Sequence, residues 1–184
     1  MMGVRKNKIG NIIGWVLLIG LLGFVALYMR LSLTQYGFKG SIQRAIPKKW
    51  NGVYKKYYKN GNLELETNYR WGRPNGLEKG YYEDGSLSKV TEYKNGKAQV
   101  LKQYYPTGEL MTETFCNEEG KAHGLASGYY KDGKLQDETK YINGKWKEIL
   151  EYYKNGNLKL EKFSQNRWQK KYDEQGNLIF EGKF

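Results

Sequence analysis

The chain has 184 residues, a net charge of +12 from 31 Lys plus Arg against 19 Asp plus Glu, an apolar fraction of 39%, 15% aromatics and 23 glycines. That balance excludes a charged disordered tail, which would lack the aromatics, and a Leu-rich helical bundle, which would lack the glycines. One cysteine, Cys116, and one histidine, His123, exclude a disulfide scaffold and a Cys/His zinc module.

Residues 1–8 form a short basic tail with Arg5, Lys6 and Lys8. Ile9 to Met29 then runs 21 residues without a charge, and at about 1.5 Å per helical residue such a segment spans a hydrocarbon core of roughly 30 Å. The sequence therefore predicts one transmembrane helix over 9–29. A cleaved signal peptide is the rival reading, but its apolar region is only about 7 to 15 residues long and ends on a small-x-small site. Ala26-Leu27-Tyr28-Met29-Arg30 supplies no such site. A basic linker, 30–47, follows, and Lys39, Arg44, Lys48 and Lys49 are candidates to contact an anionic lipid surface, each worth up to about 1 kcal/mol close to a bilayer. Basic residues flank the apolar segment on both sides, so the charge rule does not fix its orientation. A long downstream domain translocates largely regardless of charge, and the expected arrangement is a single-pass membrane protein with its repeat domain extracytoplasmic.

From residue 48 to residue 184 one phrase recurs, Tyr-Tyr-x-Asn/Asp-Gly-x-Leu. It begins at Tyr57, Tyr81, Tyr104, Tyr129 and Tyr152, with a degenerate sixth copy from Lys171 to Leu178 that has one extra residue, and the turn glycines Gly61, Gly85, Gly108, Gly133, Gly156 and Gly176 lie 24, 23, 25, 23 and 20 residues apart. A second phrase alternates with it, as Tyr93-Lys94-Asn95-Gly96-Lys97 and Tyr141-Ile142-Asn143-Gly144-Lys145, with looser copies at Tyr69 to Arg73 and Phe115 to Lys121. Asn-Gly and Asp-Gly between aromatic segments signal two-residue type I′ hairpin turns, whose central residues both need positive φ. The fold predicted is all-β: an antiparallel meander of about twelve strands of five to nine residues, built from six tandem hairpin repeats of about 23 residues.

If Asn60 and Gly61 are the whole loop, cross-strand partners sum to 121, pairing Lys55 with Glu66, Lys56 with Leu65 and Tyr58 with Leu63. Repeated along the array, this gives one ladder of Tyr58, Leu63, Tyr82, Leu87, Tyr105, Leu110, Tyr130, Leu135, Tyr153 and Leu158 on one side of the sheet. That side is expected to form the core or to dock a protein. The first tyrosines, with Glu66, Glu113, Glu138, Glu161 and Glu181, are expected on the other, wetter side.

The doublet and turn pattern, carried by six copies over about 130 residues, resembles the MORN-variant repeat of bacterial proteins. The resemblance implies an all-β array of hairpins, and many bacterial members are labelled antitoxin or immunity components; others are envelope proteins. It brings no catalytic motif. Pro106-Thr107 in place of the usual turn pair and Val90 in place of a glutamate depart from the pattern.

No phosphate-binding glycine motif precedes a helix, and Asp84 and Asp132 lack the spacing of a calcium loop. Cys116 stands in the slot of Tyr69 and Tyr141 and is expected to be a small packed residue. His123 is expected in a surface turn, with no triad partners nearby. No catalytic residue, metal site or cofactor is expected, and the chain is not expected to be an enzyme. Nucleic acid is disfavoured as a partner because acidic residues are interspersed with the basic ones. The expected function is a membrane-anchored repeat protein that binds another protein, such as a toxin, or a further copy of itself. The alternative is an envelope scaffold apposed to anionic lipid.

Overall fold

The computed structural model describes residues 47–184, of which Lys48–Phe184 form one compact unit. The segment predicted to cross a membrane, 9–29, and the candidate lipid contacts Lys39 and Arg44 lie outside the described residues. Among the described residues no helix is long and apolar enough to cross a membrane.

Twelve strands follow one another: β1 (Gly52–Tyr57), β2 (Leu63–Arg70), β3 (Arg73–Tyr81), β4 (Leu87–Lys94), β5 (Lys97–Tyr104), β6 (Leu110–Cys116), β7 (Ala122–Tyr129), β8 (Leu135–Ile142), β9 (Lys145–Tyr152), β10 (Leu158–Phe163), β11 (Trp168–Tyr172) and β12 (Leu178–Lys183). They form one antiparallel sheet in strict chain order, and the substantial contacts are all between consecutive strands. No second layer covers either face among the described residues.

The two kinds of turn have different chemistry. Three of the four second-phrase copies close as expected: Trp71-Gly72, Asn95-Gly96 and Asn143-Gly144 all have positive φ at both residues, and the flanking pairs Arg70–Arg73, Lys94–Lys97 and Ile142–Lys145 are directly opposite, whereas the copy at Phe115 to Lys121 closes in a three-residue loop ending on Gly120. The first phrase does not close as expected. Its loop is three residues long, because the Tyr58 N–H donates to the Asn62 carbonyl at 2.8 Å while the Gly61 N–H donates back to the Tyr58 carbonyl at 3.1 Å. Only Gly61 takes positive φ there, the signature of a type I turn followed by a glycine bulge. Asn60 instead accepts from the Asn62 N–H at 2.9 Å. Asp84 and Asp132 make the same contact with Ser86 and Lys134, which is why Asp and Asn interchange at this position.

The longer loop changes the register. Lys55–Glu66 and Lys56–Leu65 pair as expected, but a bulge then places Leu63 opposite Tyr57, not Tyr58. Each later hairpin repeats the shift: Leu87 faces Tyr81, Leu110 faces Tyr104, Leu135 faces Tyr129 and Leu158 faces Tyr152. The expected ladder is therefore divided. Tyr58, Tyr82, Tyr105, Tyr130 and Tyr153 lie on one face, whereas Leu63, Leu87, Leu110, Leu135 and Leu158 lie on the other beside the first tyrosine of each doublet.

The tyrosine face is the closed one. Its central row, in direct cross-strand register, includes Thr67, Glu78, Thr91, Ala126 and Thr139, all buried. Tyr93, Ala98, Leu160 and Gln169, also buried, belong to the same face. On the other face Val53, Tyr57, Leu77, Phe115 and Leu125 are exposed.

Candidate functional site

The second tyrosine of each doublet ties its repeat to the next. The Tyr58 hydroxyl donates to the Tyr81 carbonyl at 2.7 Å, Tyr82 to Tyr104 at 2.7 Å, Tyr105 to Tyr129 at 2.8 Å, Tyr130 to Tyr152 at 2.8 Å and Tyr153 to Tyr172 at 2.9 Å. Adjacent tyrosines therefore have distinct tasks: the first offers its carbonyl and pairs with a leucine, and the second reaches across two strands to the next carbonyl. In the sixth copy Tyr172 pairs with Leu178 and so takes the first place of the doublet without the inserted residue expected there; Asp173 stands where the second tyrosine would be, and it caps its own turn by accepting from the Gln175 and Asn177 N–H groups. The five second tyrosines called from the sequence are thus tied into the fold, and their leucine partners in the expected ladder lie on the opposite, more open side.

That open face has three rows. Along the first-phrase turns run the first tyrosines and their leucines. The middle row, residue by residue from β1 to β12, is Lys55, Glu66, Lys79, Val90, Lys102, Glu113, Ser127, Glu138, Leu150, Glu161, Lys170 and Glu181. It holds ion pairs of Lys55 with Glu66 at 3.7 Å, Lys102 with Glu113 at 2.9 Å and Lys170 with Glu181 at 3.6 Å. The glutamates read from the sequence as belonging beside the first tyrosines are indeed here: the Tyr152 hydroxyl donates to Glu138 at 3.3 Å and that of Tyr172 to Glu161 at 3.1 Å. A third row carries the exposed Val53, Phe115 and Leu125 together with Val100, Phe163 and Trp168. A shallow depression at its β8–β10 end is lined by Lys140, Ile142, Phe163 and Ser164.

The closed face holds one unusual group. Asp137 on β8 lies directly opposite Glu151 on β9 and opposite Gly128 on β7. A Cβ added at Gly128 would run into the Asp137 carboxylate, so the glycine makes room for that side chain. Burial, then the Glu151 and Glu138 charges, push the Asp137 carboxyl from 3.8 up to about 6. Burial and the same carboxylate raise the phenols of Tyr105 and Tyr141, while for Tyr130 burial and Glu151 come first.

The two long edges of the sheet differ in charge. The edge made by the second-phrase turns carries Arg70, Arg73, Lys94, Lys97, Lys121, Lys145 and Arg167, all exposed, against Glu118 and Glu119. Lys48 and Lys49, named from the sequence as lipid contacts, are exposed at the same edge, where the neighbouring Trp50 carbonyl accepts from the Gly72 N–H at 2.8 Å. Trp71 sits at a turn tip there, 60% exposed, with φ of 53°. A bulky residue in the left-handed region is an outlier, and Asn occupies that place in two sister turns. Nothing in the composition singled out Trp71; its conformation and exposure do.

Cys116 is half-buried and its thiol is raised by burial. His123 lies in strand β7, not in a turn, exposed, with its Nδ1 accepting from the Asn143 N–H at 3.4 Å. The turn expected around it is displaced to Asn117–Lys121, where the Asn117 N–H donates to the Lys121 carbonyl at 2.9 Å. Among the described residues no group of His, Cys, Asp and Glu side chains could hold a metal ion.

Fold and site together define a tandem β-hairpin repeat protein with one closed and one open face. Three of its hairpins, residues 50–70, 74–95 and 122–143, match the family described as MORN repeat variant. These are β1–β2, β3–β4 and β7–β8; the hairpin with the Pro106-Thr107 turn folds like the others although its sequence does not match. No curated protein matches the chain. Among solved structures, TarM is similar over 73% of this chain and 23% of its own length, at 11% identity and a TM-score of 0.39. A variant of S. aureus TarM in complex with fondaparinux, alpha-GlcNAc-glycerol and UDP is similar over 91% and 32%, at 10% identity and a TM-score of 0.41. The GtfA/B complex bound to UDP and GlcNAc is similar over 71% and 26%, at 10% identity and a TM-score of 0.30. The chain thus spans a quarter to a third of the length of these structures. The expectation that it is not an enzyme is corrected at this point: two of these neighbours are complexes that hold UDP and a sugar derivative, and the comparisons do not point to a protein without catalysis. With TM-scores this low, the likeness assigns no reaction.

Proposed function

We propose that this chain is a membrane-anchored repeat protein that binds another protein through the open face of its sheet, in an antitoxin or immunity role in which the captured protein is a toxin. The observation that carries the reading is the asymmetry of the faces. The buried residues of the sheet gather on one side, while Val53, Tyr57, Leu77, Phe115 and Leu125 stand exposed on the other, with no covering layer among the described residues, and an exposed apolar patch ringed by polar groups is how a protein-binding surface presents itself. Leu125→Asp in the full chain, on a strand whose closed face is untouched, should abolish capture of the partner and, where a toxin is encoded beside this chain, protection against it. Capture that survives both Leu125→Asp and Phe115→Asp would refute the role of this face.

A second reading, a scaffold on an anionic lipid surface, is favoured by one feature: the basic turn edge with Trp71 projecting between Arg70 and Arg73. Cationic side chains near anionic headgroups with an interfacial tryptophan suit such a surface. Flotation with vesicles of neutral and of anionic phospholipid tests it, and binding that ignores both lipid charge and Trp71→Asn would refute it.

A further inference from the structure

The middle row of the open face is its own complement when read backwards. Turned end for end, it sets Lys102 against Glu138, Val90 against Leu150 and Lys79 against Glu161, and the outer strands obey the same rule: Glu66 meets Lys170 and Lys55 meets Glu181. Every lysine of the row meets a glutamate, and the two aliphatic interruptions meet each other.

Resting on the reading that this face binds protein, we propose that the partner it fits is a second copy of this chain, packed face to face about a two-fold axis parallel to the strands and passing between β6 and β7. An isologous contact requires that residue i meet residue j while j meets i, and a palindromic sign pattern is what that demands of charged groups. The orientation follows from the same row. A two-fold axis across the strands would stack Lys102 on Lys102 and Glu138 on Glu138, which like charges resist.

Neighbouring rows agree at the centre. Phe115 on β6 meets Leu125 on β7, two of the exposed apolar residues, and the tyrosine–leucine row meets its like. Glu92 against Glu148 is the one like-charged juxtaposition in the third row, and it holds the affinity down. Sheet twist confines the match to the middle strands. Six strands at about 4.8 Å spacing and about 20 Å length still give on the order of 1,100 Å² for the two copies, near the lower bound for a specific interface.

Val90 supplies a test that spares the fold. It lies between Lys79 and Lys102 within its own sheet, so Val90→Glu adds favourable cross-strand pairs to the isolated chain while placing a charge on Leu150 of the second copy. Leu150 lies between Glu138 and Glu161, so Leu150→Lys is equally tolerated, and the double variant restores an opposite-charge pair across the interface. Sedimentation equilibrium of the full chain in mild detergent should show a wild-type dimer, association weakened at least about tenfold by Val90→Glu, and recovery in Val90→Glu/Leu150→Lys, with thermal unfolding at dilutions where every form is monomeric unchanged or raised in both variants. A monomeric wild type at about 100 μM, a dimer indifferent to Val90→Glu, or a double variant that fails to recover would each overturn self-pairing. A wild type that stays monomeric yet loses capture of another protein on Leu125→Asp overturns self-pairing and leaves open-face binding standing. A dimer that obeys the charge swap while capture ignores Leu125→Asp overturns the toxin-capture reading and upholds self-pairing.

Discussion

Asp137 makes the stability of the sheet depend on pH in a direction opposite to the usual carboxylate. Burial beside Gly128 and the facing Glu151 lift its carboxyl from the ordinary 3.8 to about 6. Below the ordinary value both folded and unfolded chains hold the proton and the group contributes nothing. As pH rises from there to about 6, the unfolded chain releases the proton first, so folding becomes progressively less favourable; above about 6 the full penalty is present. A rise of that size corresponds to about 3 kcal/mol as a ceiling, and residual solvent screening of a half-buried group reduces it to about 1–3 kcal/mol. Asp137→Asn removes the titration while keeping the volume. Urea unfolding at intervals from pH 4 to pH 8 should find the variant and the wild type closest at the acid end and the variant ahead by about 1–3 kcal/mol at the alkaline end. A stability difference that does not change with pH, or a variant that falls further behind as pH rises, would refute the argument.

Tyr130→Phe removes the hydroxyl that bonds the Tyr152 carbonyl at 2.8 Å and should cost about 1 kcal/mol in chemical unfolding, with a matching loss for Tyr105→Phe. Asp84→Asn should stabilise by a few tenths to about 1 kcal/mol, because Asn60 and Asn62 donate to the Glu83 carbonyl of the next turn at 3.0 and 2.7 Å and a carboxylate has no proton to donate to its own neighbour. Trp71→Asn should raise the melting temperature, since Asn accepts the left-handed conformation at a cost about 1 kcal/mol lower; a fall would show that the indole packs usefully. Lys89→Ala should cost more than other lysine truncations, about 2 kcal/mol or more, since Lys89 meets the buried Glu78 at 3.2 Å.

The sequence by itself determined the periodicity, and with it the meander. Glycines some two dozen residues apart reverse the chain, and an aromatic doublet before each reversal with a leucine after it is the pattern of paired antiparallel strands. It also determined the pairing of Lys55 with Glu66 and of Lys102 with Glu113, because these lie far enough from the loop for its length to be offset by the bulge. Which face each leucine occupies was decided only in the folded sheet. An Asn-Gly pair can be the whole of a two-residue loop, as at Asn95-Gly96, or the last part of a three-residue one, as at Asn60-Gly61, and the difference of one residue turns a side chain through the sheet. The reason one reading wins at each site is cooperative: the second tyrosine gains a carbonyl acceptor in the next repeat only if the first faces the leucine. That acceptor, about 23 residues away in sequence, exists only once neighbouring hairpins have docked.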